Sequence, residues 1–208
     1  MTINLKPREI IWTGLFLLVF IWSAFEPKDY PTWVLETTPA IIGFIVLAMT
    51  RRNFPLTPLC YSLILIHCWI LFIGGHYTYA EVPLFDTIRD VFHQSRNNFD
   101  KLGHFAQGFV PAIICREIVI RLDVISGKGF THFFTLCFCL ALSAFYEMLE
   151  WWVALLSDDA ADAFLGTQGY VWDTQSDMAW ALFGAIIALI LLSNIHDKQI
   201  QRLRTQTS

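Results

Sequence analysis

Six ionisable residues stand in pairs within, or at the mouth of, long apolar runs: Asp100 and His104, Glu147 and Glu150, Asp173 and Asp177. The first and third pairs are four residues apart and the second three apart, so on helices each pair shares one face. An ionisable group in hydrocarbon is costly unless it is paired, bound or wetted. Helices that each turn carboxylates and imidazoles inward are how metal sites are built in bundles. Carboxylates with one or two imidazoles suit a divalent ion such as Mg, Mn, Zn or Fe. Such an ion could activate a water or clamp a phosphate, and a tuned carboxylate pair could do acid/base work. His104, Glu147 and Asp177 are the expected centre and the expected catalytic residues. Asp100 and Asp173 would support them as further metal donors, and His76 could close over them from the preceding loop. Arg96 and Lys101 could instead hold an anionic head group. A plainer role competes at each place. Asp173 would complement the dipole of a helix start, and buried polar residues often only tie helices together.

These groups need elements to carry them, and the composition says what kind. The chain has 208 residues, 55% hydrophobic and 15% charged, against roughly 25% charged in a soluble domain. Mean hydropathy is +0.50. This is an all-α, polytopic membrane bundle by expectation. A net charge of −4 argues against a nucleic-acid partner, and membrane lipid is the expected one. The five cysteines (Cys60, Cys68, Cys115, Cys137 and Cys139) lie in apolar segments without metal-finger spacing and read as small hydrophobic fillers. No small-x-small cleavage site follows the first apolar run, which is read as a retained span.

Six spans can be drawn, at about 10–25, 33–49, 57–73, 100–120, 130–156 and 174–194, in one membrane domain over 1–208. The fourth is the weakest, because it contains Lys101, Gln107, Arg116 and Glu117. Arg116 and Glu117 are expected in the membrane interface. With the N-terminus cytoplasmic, the inner segments carry Lys6, Arg8, Arg51, Arg52, Arg116, Arg121, Lys128, Lys198, Arg202 and Arg204. The outer ones carry Lys28, Arg89, Arg96 and Lys101. Positive charge gathers on cytoplasmic loops, so both termini are expected inside. The same topology brings all three acidic pairs to one outer depth. The 5–6 loop adds Asp158, Asp159 and Asp162 there. Gly14 and Gly43 are expected to let helices approach closely. Gly74-Gly75-His76 reads as a helix end and a turn, and His67 as a bond between helices. His132 and His196 fall at the inner side, away from the pairs.

Four stretches carry a resemblance. They are Gly75-His76-Tyr77-Thr78-Tyr79-Ala80-Glu81, Asn97-Asn98-Phe99-Asp100-Lys101-Leu102-Gly103-His104, Tyr146-Glu147-Met148-Leu149-Glu150-Trp151 and Trp172-Asp173-Thr174-Gln175-Ser176-Asp177. Through them the chain resembles the YjdF family of bacterial inner-membrane proteins over nearly its whole length. That resemblance implies a multi-pass inner-membrane protein and no particular activity. A looser similarity, over the second half, is to VanZ-like proteins. Asp100-Lys101-Leu102-Gly103-His104, Glu147 and Asp177 match their pattern. Trp180-Ala181 stands where that pattern has Asn, and its Arg is missing.

Three functions remain open on the sequence. One is a metal-assisted or acid/base site for a lipid-linked or envelope substrate at the outer face. Another is an ion- or proton-coupled transporter, for which the inner halves of the spans offer few polar groups. The third is a structural or accessory protein whose polar cluster locks helices together.

Overall fold

The computed structural model describes residues 6–156 and 170–207, and the acidic residues Asp158, Asp159 and Asp162 lie outside them. The described residues form seven α-helices: α1 Pro7–Ser23, α2 Tyr30–Thr50, α3 Pro58–Tyr77, α4 Pro83–Val91, α5 Phe99–Arg121, α6 Lys128–Leu156 and α7 Asp173–Thr207. Local chemistry sets their starts. Asp29 caps α2 by accepting from the Thr32 amide at 2.7 Å, and Thr57 caps α3 through the Cys60 amide at 3.4 Å. Proline fills the first turn of α1, α2, α3 and α4, where its missing N–H costs no helical bond.

The six long helices alternate in direction, so the bundle has two ends. At one end Glu117 of α5 meets Thr57 before α3 and His196 of α7. At the other, His104 of α5 meets Asp177 of α7 and Glu147 of α6. Four helices (α2, α3, α6 and α7) are long and apolar enough to cross a membrane by length and composition. At 17 residues α1 is short, and α5 is too polar. The reason α5 tolerates its polarity is position: it is the axis of the bundle. Val110, Ala112, Ile113, Cys115, Arg116, Glu117 and Val119 are all buried, so the polar side chains among them meet protein rather than lipid. Arg116 and Glu117, at 2% and 0% exposed, are therefore core residues and not interfacial ones.

Small residues let α5 and α7 touch backbone to backbone. A Cβ on Gly108 would stand 1.7 Å from the Ala181 carbonyl oxygen, and one on Gly184 would stand 2.1 Å from that of Phe105. Ala181, Ala185 and Ala188 continue the seam, each fully buried. Gly14 and Gly43 do not serve close packing, since a Cβ on either meets nothing within 4 Å. On the far flank, α1, α2 and α3 are held by aromatic packing, with Phe16 against Phe44 at 4.8 Å and against Phe72 at 5.1 Å.

Helix α3 runs through Gly74 and Gly75 to Tyr77, one turn further than the glycines suggested. It stops at Thr78, whose φ of 60° is unfavourable for a β-branched residue. The reversal drops the Tyr79 ring into the slot that Gly74 and Gly103 leave open: a Cβ on those residues would meet it at 2.2 and 2.6 Å. Helix α7 continues well past 194, to Thr207. Its 35 residues rise about 52 Å, more than the roughly 30 Å of hydrocarbon needs.

Candidate functional site

His104 sits on the inward face of α5, 6% exposed. Its Nε2 lies 3.3 Å from Asp100 Oδ1 and 3.8 Å from Asp177 Oδ2. Its Nδ1 lies 3.1 Å from Gln107 Oε1 and 3.8 Å from Glu147 Oε1. Both ring nitrogens thus face acceptor oxygens. The ring can donate an N–H on each side, or donate one and offer the other nitrogen to the Gln107 amide or to a cation. Two overlapping donor triads, Asp100–His104–Asp177 and His104–Glu147–Glu150, each have their ligand atoms within 4.8 Å of one another. Glu147 Oε1 and Asp177 Oδ1 are buried without a hydrogen-bond partner. Buried carboxylate oxygens are rarely left so.

The cluster opens into a cavity of about 180 Å³. It reaches from Asp173 and Asp100 at the bundle end down to Pro111 on α5 and His67 on α3. Glu36, Asp100, Glu150, Asp173 and Asp177 all line it. Asp173 is partnered, since Arg96 Nη1 donates to its Oδ1 at 3.1 Å and stacks over Tyr170. Glu36 accepts from the Tyr146 hydroxyl at 3.2 Å. The Tyr79 phenol, from the short turn between α3 and α4, is held well above its ordinary proton affinity by burial and by Glu36, Asp100 and Glu150, so it remains an O–H donor. Carboxylates therefore outnumber the cations that face them, in a setting where charge is poorly screened.

Of the residues expected from sequence, Asp100, His104, Glu147, Glu150, Asp173 and Asp177 come together. His76 does not. Its Nδ1 lies 3.1 Å from the Ser23 carbonyl and its ring packs on Trp22, which ties α3 to α1 outside the cavity. Lys101 does not line the cavity either. Sequence reasoning missed Glu36, a lone carboxylate in the apolar run of α2. The signal that drew attention to Glu147 was there too, but Glu36 has no second ionisable residue three or four positions away. His67, expected to join helices, lines the cavity.

A second three-donor group, Cys60–Glu117–His196, lies at the other end of α5. Cys60 is therefore more than filler: its thiol meets Glu117 Oε2 at 3.0 Å. This group is closed to an ion. Arg116 can only donate, so His196 Nδ1, 3.0 Å away, must accept, and Nε2 carries the proton that it donates to Glu117 Oε2 at 3.0 Å. Glu117 also takes the Thr57 amide at 2.9 Å, the Thr57 hydroxyl at 2.6 Å and Arg121 at 2.8 Å. Arg116 is further paired with Asp197.

A family model described as "Predicted membrane protein (DUF2238)" matches residues 8–198. The chain belongs to this family. It is 47% identical over 203 residues to the inner membrane protein YjdF of Escherichia coli (strain K12), covering 97% of both chains. The resemblance read in the His76, His104, Glu147 and Asp173 stretches is thus a family membership, and the chain is an inner-membrane protein. No solved structure matches it.

Proposed function

We propose that this protein binds a divalent cation between α5, α6 and α7 and uses it to hold the anionic head group of an envelope lipid or lipid-linked substrate. The observation that carries this reading is that Glu147 Oε1 and Asp177 Oδ1 are buried without a hydrogen bond, on two carboxylates that each come within 3.8 Å of the His104 ring. One ion would take up those lone pairs and offset the surplus negative charge. Asp100, His104 and Asp177 are the proposed ligands, with Glu147 as a fourth ligand or a proton acceptor. A phosphate bridged by such an ion is polarised at its oxygen. The chain is proposed to cross the membrane six times, with both termini cytoplasmic and the cluster periplasmic. The division of basic residues, ten to four, supports that orientation. Cation transport is less well supported, because the Glu117 network has no free acceptor to receive an ion.

Two measurements test the reading. Elemental analysis of the purified full-length protein should find an ion at about one per chain, lost in Asp177→Asn and His104→Ala variants that still fold. Folded protein without any bound metal after incubation with Mg, Mn, Zn or Fe would sink it. A reporter fused after Ser208 should be active in the cytoplasm, and periplasmic activity would reverse the orientation.

A further inference from the structure

The cavity at His104 has a side wall missing. Helices α3 and α5 pack together and form its floor, through His67, Leu71 and Pro111. Helix α2 supplies one wall, through Glu36 and Pro39, and α6 the other, through Leu142 and Tyr146. Among the described residues α2 and α6 make at most marginal backbone contact, in contrast to the close packing of α5 on α7 or α2 on α3. They meet through the hydrogen bond of Tyr146 to Glu36. Below that bond lies an open slot.

The faces on which the slot opens are lipid-facing. Pro39 is exposed, and Ile42 and Val46 continue its face of α2 at 56% and 51% exposed. On α6, Phe138 extends the Leu142–Tyr146 stripe one turn further, at 41% exposed. At that depth the slot borders hydrocarbon, and its lower lining is mainly apolar (Pro39, Leu71, Pro111 and Leu142), with His67 and Gln107 its polar members. Its upper lining is Glu36, Asp100, His104 and Glu150, which hydrocarbon alone cannot satisfy. The occupant that fits both halves is an amphipathic molecule already in the bilayer, with an apolar chain below and a polar head above.

We infer that the slot between α2 and α6 is the lateral entry and chain-binding site for a membrane lipid, whose acyl or prenyl chain lies along Leu71, Pro111 and Leu142 while its head group reaches the His104 cluster. The head-group half rests on the proposed cation site and the chain half does not. The Tyr146–Glu36 bond bridges the slot at the level of the head group and must open to admit it.

The test uses the full-length protein in phosphatidylethanolamine/phosphatidylglycerol vesicles doped with phosphatidylglycerol carrying a diazirine in mid-chain. After photolysis, adducts should concentrate on the peptides bearing Leu71 and Leu142 rather than on Phe133, a lipid-facing residue outside the slot at 66% exposed. Leu142→Trp should cut the slot adducts by about tenfold, equivalent to ~1.4 kcal/mol, while Phe133→Trp leaves them unchanged. Leu71→Phe gives the same reading should Leu142→Trp fail to fold. Adducts spread evenly over the exterior, or slot labelling indifferent to both fillings, would overturn the inference. Slot labelling that persists in protein shown to hold no metal would uphold the lipid site and remove the cation reading, so the two fail separately.

Discussion

At the scale of single residues, two acidic clusters of opposite character lie at the two ends of α5. Glu117 receives more donors than a carboxylate needs: the Thr57 amide and hydroxyl, Arg121, Cys60 and His196. Glu147 and Asp177 each keep a buried oxygen that nothing donates to. Removing charge should therefore act in opposite directions. Glu117→Gln breaks a satisfied buried network and should cost roughly 3–5 kcal/mol. Asp177→Asn or Glu147→Gln relieves like-charge crowding and should stabilise metal-free protein by roughly 1 kcal/mol. Thermal unfolding in detergent with a chelator reads both signs. Destabilisation by all three would mean that the His104 cluster is an ordinary structural lock. The pairs at 100/104, 147/150 and 173/177 were legible because spacing alone puts each on one face. The Cys60–Glu117–His196 network was not. Its members are far apart in sequence, and Arg116-Glu117 at a helix end looks like an interfacial pair until α3 and α7 are seen to cover it.

At the scale of helices, the seam between α5 and α7 sets the geometry of the cluster. Gly108 faces Ala181, one turn from Asp177, and Gly184 faces Phe105, beside His104. Gly108→Ala or Gly184→Ala must push the two backbones apart, at a cost of roughly 1–3 kcal/mol or more. It should also weaken metal binding, since Asp177 moves with α7. Gly14→Ala and Gly43→Ala, with open space around them, should leave metal content unchanged and stability unchanged or raised by up to about 1 kcal/mol. Melting temperature and metal content of the four variants check this. Sequence could not tell these glycines apart. All lie in apolar segments, and only the partner helix decides which one is in contact. Helix α4 was likewise hidden within the long loop at 74–99. Its place is fixed by Asn97, which donates to the Val82 carbonyl at 3.0 Å and to Asp86 at 3.1 Å.

At the scale of the whole molecule, apolar length located the long helices to within a turn or two at most ends, because burial in lipid writes itself directly into composition. The end of α7 was misjudged because polarity marks the edge of the membrane and not the end of a helix. What composition could not show is that a helix too polar to read as a clean span is the central one. Helix α5 keeps company with α3, α6 and α7 on its several sides, and its Arg116 and Glu117 find their partners on α3 and α7. That arrangement has a consequence for how the protein is made. When α5 leaves the insertion machinery, α7 has yet to be synthesised, so His196 and Asp197 are absent and Arg116 has no partner on that helix. A chain terminated before Asp173 should consequently leave α5 poorly integrated and open to protease, while co-expressing residues 170–208 as a separate peptide should restore protection. Membrane assembly of this protein would then be completed backwards, the last helix to emerge sealing in one that was threaded before it.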